Sequence, residues 1–503
     1  MAKYRTTDAA AGQGLFLTVN LKEQLLPGTL EYMLDELIGT KIDTSIFDKH
    51  YNNDQTGARA VPPAVLLKLI LYGYSKGQNS SRKLWNLSRE NIVAKALTGD
   101  MDIHFTTIAD FISGYPLEVK AIFTQALAYC NELGLIGGEM FAIDGLRLPS
   151  NASMEMSGTK RELEKRLALY KRMAEKHVLR HQRKDEQGEA TEEIQDRFEK
   201  QQKRLGAKIA KLSSFLQTME QKTGFSGKEV KSNVTDNESA VIRSSKGYVQ
   251  GYIGTAVSDQ KNQIIVNAQA VGSANEGEHL PLLLDATQEQ LAAASVPRPK
   301  GKEPVFAMDS NYFSEENLQA CKEQEVQALI PDIHEKRYRE DNQEKRYEAR
   351  DFMYNETGNY YECPAGKKLE YKKTSVLGGR EGKEYQAKAN DCRSCPHSAR
   401  CIRSKKEPEQ WKNGRALFIT RSNEPGSLCA LMRENMATEE YQALYAHRIQ
   451  IVEPVFANIR HCKGLNRFTL RGNEKVNSQW QLYCMVHNLG KCLNELNIRS
   501  NAA

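Results

Sequence analysis

The sequence predicts an α/β fold whose sheet core is interrupted twice and preceded by helices. Two short apolar runs, Met140–Ile143 and Val305–Met308, each lead into an aspartate. That is the pattern of a buried strand whose end carries an acid. Between them, Tyr248–Val257 and Ile264–Val271 flank the polar turn Ser258–Asn262 and read as an antiparallel hairpin. Long stretches before, between and after these strands carry apolar residues at helical spacing.

Residues 15–50 read as helical, with Leu30, Met33, Leu34 and Ile38 at helical spacing. Pro62-Pro63 opens the apolar stretch Val65–Tyr74; proline suits a first helical turn because its missing N–H would be unpaired there anyway. Ser80-Ser81-Arg82-Lys83-Leu84 reads as a capped helix start. A third helix begins near Thr106 or Thr107 and runs through Phe111, so residues 1–135 form a small helical domain.

After the first strand, residues 155–222 turn strongly charged, with basic residues in excess. Ile194, Phe198, Leu205, Ile209 and Leu212 keep helical spacing, and Asp185–Gly188 breaks the pattern, so a helical hairpin is inserted here. A helix follows over roughly 278–294, then the Asp309 strand and a short strand at Ala328–Pro331. Residues 335–412 read as polar, cysteine-bearing and irregular; 437–461 and 474–497 read as helices.

The chain has 503 residues, enough for two to four domains. Its 70 Lys and Arg against 64 acids give a net charge of +6, which permits a polyanionic partner without requiring one. No apolar run reaches transmembrane length, and the start, Met1-Ala-Lys-Tyr-Arg-Thr6, lacks the apolar region of a signal peptide. The ten cysteines are therefore expected as reduced thiols. No G-x4-G-K-[ST] loop is present, which removes ATP-driven schemes.

Three acids stand out by context. Asp144 and Asp309 each close an apolar run, where an acid is wasteful unless it faces a site. Glu453 lies in Gln450-Ile-Val-Glu-Pro-Val-Phe456, where Pro454 either starts a helix or kinks one. In a continuous helix Tyr445, Ile449, Val452, Phe456 and Ile459 form one apolar stripe, and Glu453 and Arg460 share another face. Converging carboxylates hold Mg²⁺ or Mn²⁺, and two such ions serve phosphodiester chemistry. Spacing alone does not separate this from three solubilising or capping acids.

At these residues the chain resembles the DDE transposases of bacterial insertion sequences. Pro62-Pro-Ala-Val-Leu-Leu-Lys68, Leu71-Tyr-Gly73, Ser81-Arg82 and His104-Phe-Thr-Thr-Ile108 are similar to that family's N-terminal helical domain. Ile143-Asp144-Gly145 with Ser150-Asn-Ala-Ser153 resembles the first catalytic block, and Ala307-Met-Asp309-Ser-Asn-Tyr312 the second. Tyr445-x2-Arg448-x4-Glu453-x6-Arg460 resembles the Tyr-Arg-Glu-Lys signature of one branch, with four residues rather than three between Arg and Glu, and Arg in place of Lys. Gly464-Leu-Asn-Arg-Phe468, Arg471-Gly472 and His487-Asn488-Leu489 extend the likeness.

The resemblance implies a ribonuclease H-like catalytic core over 136–154, 236–334 and 437–497. It implies a DNA-binding or dimerisation domain over 1–135, a helical insert over 155–235 and a cysteine-containing insert over 335–436. It implies Mg²⁺ or Mn²⁺, two ions, held by Asp144, Asp309 and Glu453, and DNA cleavage at terminal repeats followed by strand transfer. Partners would be double-stranded DNA and a second copy in a synaptic complex, in the bacterial cytoplasm at the nucleoid. Arg448 and Arg460, with Tyr445 as either a contact or a core residue, would meet phosphate near the scissile bond.

Two further groups come from the residues themselves. Arg448, Arg460, Lys463, Arg467, Arg471 and Lys475 make a basic stretch suited to duplex DNA, with Arg82, Lys83 and Arg89 as a second group. Cys363, Cys392, Cys395 and Cys401, with His397 as a substitute ligand, suffice to close a tetrahedral zinc site; reduced thiols in an irregular insert are the other reading. The helical insert is either a solvated spacer or an arm that grips DNA or a second copy. A metal-dependent nuclease without strand transfer, or a transposase-derived DNA-binding protein, are the competing functions.

Overall fold

The computed structural model describes residues 18–52, 59–187, 191–224, 227–244, 247–333, 346–404 and 406–502. The N-terminal part is helical: α1 (Leu30–Leu37), α2 (Pro63–Ser75), α3 (Ser81–Glu90), α4 (Ile92–Thr98), α5 (Phe105–Gly114) and α6 (Pro116–Glu132). Pro63 occupies the first turn of α2, and the Ser80 hydroxyl accepts from the Lys83 N–H at the start of α3. The helix expected over 15–50 is shorter. It ends at Leu37, because Ile38 turns extended and Gly39 takes a φ of 104°, and a single 3₁₀ stretch follows at Ser45–His50. Residues 15–17 of that expectation lie outside the described residues.

The main sheet is built on β5 (Gly247–Asp259). One edge of β5 pairs antiparallel with β1 (Met140–Pro149), from Phe141↔Asp259 to Pro149↔Gly251. The other edge is shared by β4 (Ala240–Ser244) and β6 (Ile265–Val271), both antiparallel. Beyond β1, β7 (Val305–Ala307) and β8 (Gln327–Leu329) continue the sheet in parallel. The two-residue strands β2 (Ser157–Gly158) and β3 (Ser232–Asn233) pair at the base of the helical hairpin. That hairpin is α7 (Lys160–Glu186) and α8 (Glu192–Thr218); of the break expected over Asp185–Gly188, Asp185 and Glu186 are still helical, and Gly188 lies outside the described residues.

Asp144 does not end its strand, as the sequence reading had it. It is mid-strand, because β5 is thirteen residues long and offers β1 a partner as far as Pro149. β7, by contrast, accompanies β1 only over Met140–Ala142. From Ile143 onward this outer edge of β1 has no strand beside it among the described residues. Side chains alternate along a strand. Met140 and Ala142 face Ile451 and Val452, whereas Phe141 packs on Phe306 from the opposite face.

The second correction concerns residues 335–412. The described part supplies β9 (Met353–Asn355), β10 (Tyr360–Glu362), β11 (Lys368–Leu377) and β12 (Arg380–Ala387), which with β13 (Ala416–Thr420) just beyond it form an antiparallel meander. It has its own small core of Phe352, Tyr361, Leu369, Tyr385, Leu417 and Ile419. Exposed Lys and Glu along β11 hid the alternation from the sequence. Residues 335–345 lie outside the described residues.

Helices α9 (Leu280–Ala293) and α10 (Glu315–Glu323) follow β6 and β7; α11 (Leu428–Ala437), α12 (Glu439–Ala457) and α13 (Asn473–Ala502) close the chain. Pro454 neither starts nor ends α12; it lies within it. A proline there leaves the Gln450 carbonyl without its helical donor, and Gln263 Nε2 reaches that oxygen at 3.5 Å. A π turn over Asn458–Cys462 then widens the helix. The apolar stripe is rotated from the one expected: Ile451, Val452, Val455 and Ile459 are buried, while Ile449 is 53% exposed.

Buried α13 lies along the edge of β6 that no strand covers. Asn488 donates to the Ile265 carbonyl and accepts from the Ile265 N–H, both at 2.8 Å; Asn477 accepts from the Ala270 N–H at 2.9 Å; Gln481 donates to Ala268 O at 3.3 Å. Side-chain amides thus pair an edge that would otherwise template another strand. The same helix packs on α6, α5 and α2, and Tyr483 stacks on Tyr74 of α2 with centroids 4.2 Å apart. No helix among the described residues is long and apolar enough to cross a membrane.

Candidate active site

The open edge of β1 lines a cavity of about 770 Å³. Asp144, Gly145, Leu146, Arg147 and Pro149 supply one wall; Glu276, Asp309, Asn311, Arg243, Arg460 and Asn466 are among the rest. The short β7 creates this space, and the segment that follows β7 turns Asp309 into it.

Asp144 has the parity of Ala142 and meets α12. Its Oδ2 lies 2.9 Å from Arg448 Nη2, and its Oδ1 accepts from the Gly145 N–H at 2.8 Å. Burial raises the Asp144 carboxyl above the usual range, Arg448 and the Gly145 amide oppose this, and Asp309 adds to it. Asp309 caps the turn Ser310–Tyr312, and its two oxygens accept from the Asn311 amide at 2.9 Å and side chain at 2.8 Å.

Glu276 was not singled out by the sequence. It precedes α9 in Asn275-Glu-Gly-Glu-His279, which reads as the acidic first turn of a helix. In the fold it is 4% exposed. Its Oε1 accepts from Arg147 Nη2 at 3.1 Å and Asn311 Nδ2 at 3.3 Å, and its Oε2 is buried without a hydrogen-bond partner. Burial, then Asp309 and Asp144, push its carboxyl up to about 7 against the pull of Arg147. Arg147 and Arg243 were missed because a lone arginine in a strand reads as a solvated position.

The remaining expected residues are distributed as follows. Glu453 is exposed on α12 and does not line the cavity with the two aspartates. Arg460 does line it, being carried there by the π turn, which also breaks the seven-residue face it was expected to share with Glu453. Tyr445 is half-buried; burial raises its hydroxyl, Arg448 opposes this, and Asp309 and Asp144 reinforce it. The Arg448 Nε and the Tyr312 hydroxyl are buried at the same site without partners.

Arg467 and Arg471 are exposed and donate to the Ser150 and Asn151 carbonyls, at 3.0 and 2.9 Å. Lys475 is exposed; Lys463 is half-buried, and burial lowers its ammonium. Arg82 stands 4.8 Å over the Phe105 ring and Arg89 5.1 Å over Trp85, with Lys83 exposed beside them.

The four insert cysteines come together. Cys363, Cys392, Cys395 and Cys401 line one small cavity. Burial raises the Cys392 and Cys401 thiols, and the other sulfurs of the group add to it. His397 is turned to Tyr347, with Nδ1 3.2 Å from its hydroxyl. Among the described residues no three His, Cys, Asp or Glu side chains already stand at metal-ligand spacing.

Comparison with known proteins gives the class. A family model described as "Transposase DDE domain" matches residues 362–493, and one described as "Transposase domain (DUF772)" matches residues 19–114. These matches mark the chain as an enzyme of the transposase class, acting on DNA. Together they support the DDE type found in insertion sequences, a family that in general uses divalent metal. The first match holds Glu453 and the four cysteines; Asp144 and Asp309 fall outside both. Among solved structures, a piggyBac transposase synaptic complex with hairpin DNA is similar at 11% identity, over 94% of this chain and 75% of that one, with a TM-score of 0.32. No curated protein matches the chain.

Proposed function

We propose that the chain is a DDE transposase that cuts DNA at the terminal repeats of a mobile element and transfers the freed 3′-hydroxyl ends into target DNA. The observation that carries this reading is one cavity shared by Asp144, Asp309 and the buried Glu276, with Arg147, Arg243 and Arg460 on its wall. Carboxylates and arginines facing one space suit a phosphodiester and the cation that accompanies it.

The strand order supports a ribonuclease H-like core assembled from residues 136–154, 236–334 and 437–497, with inserts at 155–235 and 335–436. Residues 1–135 then bind DNA or a second copy. The donor set also suits Mg²⁺ or Mn²⁺: it is all hard oxygen, and Glu276 Oε2 is buried with nothing to pair it. In this reading Asp144, Asp309 and Glu276 hold the ion, and Glu453 joins them on the strength of the signature around it. When bound there, such an ion would supply charge to polarise the phosphodiester and to favour the deprotonated attacking hydroxyl.

The chain's own groups do the rest. Arg460, Arg243 and Arg147 offset phosphate charge along the cavity wall. Arg448 holds Asp144 through one nitrogen and keeps a buried Nε for a phosphate oxygen. Arg467, Arg471, Lys475 and Lys463 extend the cationic track, and Arg82 and Lys83 offer a second one on α3.

The test uses purified full-length protein, Mg²⁺, a labelled fragment of its own element's end and a target plasmid. Wild type cleaves and joins, while Asp144→Asn, Asp309→Asn and Glu453→Gln bind DNA without doing either. Equal cleavage by wild type and all three variants, or none by any, rejects the reading.

A further inference from the structure

We propose that Cys363, Cys392, Cys395 and Cys401 form a structural zinc site that fastens the 346–420 meander. The four come from three separate segments: the turn after β10, the short helix Ala389–Arg393 with the turn that follows it, and the helical turn Ser398–Cys401. They surround a cavity of about 20 Å³. That is room for a single water-sized occupant, since one needs on the order of 10–15 Å³. The sulfurs ring this space rather than standing at ligand distance, so binding draws them inward.

The backbone around two of the sulfurs is already arranged for thiolate. Cys363-Pro-Ala-Gly366 makes a tight turn in which the Gly366 N–H donates to Cys363 O at 2.8 Å, and Gly366 holds a φ of 71°. This turn aims the Lys367 N–H at Cys363 Sγ, 3.3 Å away. On the opposite side the Arg415 N–H donates to Cys392 Sγ at 3.4 Å. Amide donors to sulfur favour the anionic form that zinc requires. The Arg415 guanidinium donates to Cys401 O at 2.8 Å and to Tyr347 O at 3.0 Å, placing positive charge beside four prospective thiolates.

Packing explains the need. The meander's core is small, and β11 is mostly exposed. Small cores of this kind commonly rely on a metal or cross-link. Thiolate donors select zinc over the hard cations suited to the carboxylate cavity, so the two sites would not compete for one ion. His397 is left out because its ring is engaged by Tyr347.

The experiment measures metal in the full-length protein, purified without added zinc and passed over a chelating resin, by mass spectrometry. About one zinc per chain is expected for a Cys₄ site, retained in Asp144→Asn and lost in Cys392→Ser and Cys401→Ser. Should the cysteine variants aggregate, wild-type protein stripped of metal is titrated with Co²⁺. A sulfur-to-cobalt charge-transfer band in the near ultraviolet, displaced by zinc, supports the site. Protein that carries no zinc and gives no such band overturns it. This readout is independent of DNA cleavage and does not depend on the transposase reading.

Discussion

The Glu276 carboxylate fills the space that a Cβ on Gly145 would occupy: a methyl group there would collide with Glu276 Oε2 and with the Ile253 side chain. Gly145 follows Asp144 directly, and its N–H donates to Asp144 Oδ1. One residue without a side chain therefore lets a second carboxylate close on β1 next to Asp144.

Gly145→Ala is expected to displace Glu276 while the sheet persists. Forcing one methyl into a packed site costs about 1–3 kcal/mol. Urea denaturation should show a loss in that range, and DNA cleavage should fall at least tenfold under conditions where the variant is fully folded. A variant with wild-type cleavage would show that Glu276 does not need its position.

Glu276→Gln keeps the volume and an acceptor for Arg147 and Asn311 but removes the charge. The Mg²⁺ concentration for half-maximal cleavage should rise about tenfold, equivalent to about 1.4 kcal/mol, with thermal stability unchanged or higher because a buried charge is gone. An unaltered Mg²⁺ titration would place Glu276 outside the ion's reach.

Asn488→Leu tests the pairing of the β6 edge by α13. It strips the Ile265 N–H and C=O of the side-chain amide that pairs them on the open edge of β6, at about 1–3 kcal/mol for each buried group left unsatisfied. Denaturation should show a loss of roughly 2–6 kcal/mol on that basis, larger than for substitution of exposed Lys475. A loss under about 0.5 kcal/mol, the range of surface changes, would contradict the edge argument.

His487 supplies a pH dependence. It is buried, with Nε2 2.9 Å from Gln263 O, and burial lowers its imidazolium to about 4 from an ordinary 6.5. The unfolded chain then binds a proton that the native chain does not. Stability is complete above about 6.5 and falls as pH drops toward 4, with a slope approaching about 1.4 kcal/mol per pH unit from this group. Denaturant midpoints measured from pH 7 to 4.5 should show that slope in wild type and a shallower one in His487→Gln. Parallel slopes would contradict it.

The sequence carried the elements whose signals are local. Pro63 and the Ser80 cap each mark an element boundary through a single residue's geometry, whereas the turn expected at Ser258–Asn262 begins only after Asp259, where β5 ends. Asp144 and Asp309 were legible because an acid after an apolar run is conspicuous. Glu276 was not, since its burial comes from Gly145 and Arg147, which are far from it in sequence. The extent of β1 was hidden likewise, being set by the length of β5. Of the two readings of Pro454, a helix start is excluded because α12 runs through it, and Gln263 supplies a donor to the carbonyl the proline orphans.

Strand transfer itself is the central claim. The most direct measurement presents the full-length protein, in Mg²⁺, with a pre-cut element end and a target plasmid, the end carrying either a 3′-hydroxyl or a 3′-deoxy terminus. The account predicts joined product from the 3′-hydroxyl end alone, absent with Asp144→Asn. Cleavage of intact ends with no joined product from the 3′-hydroxyl substrate would contradict it, and would leave a nuclease in place of a transposase.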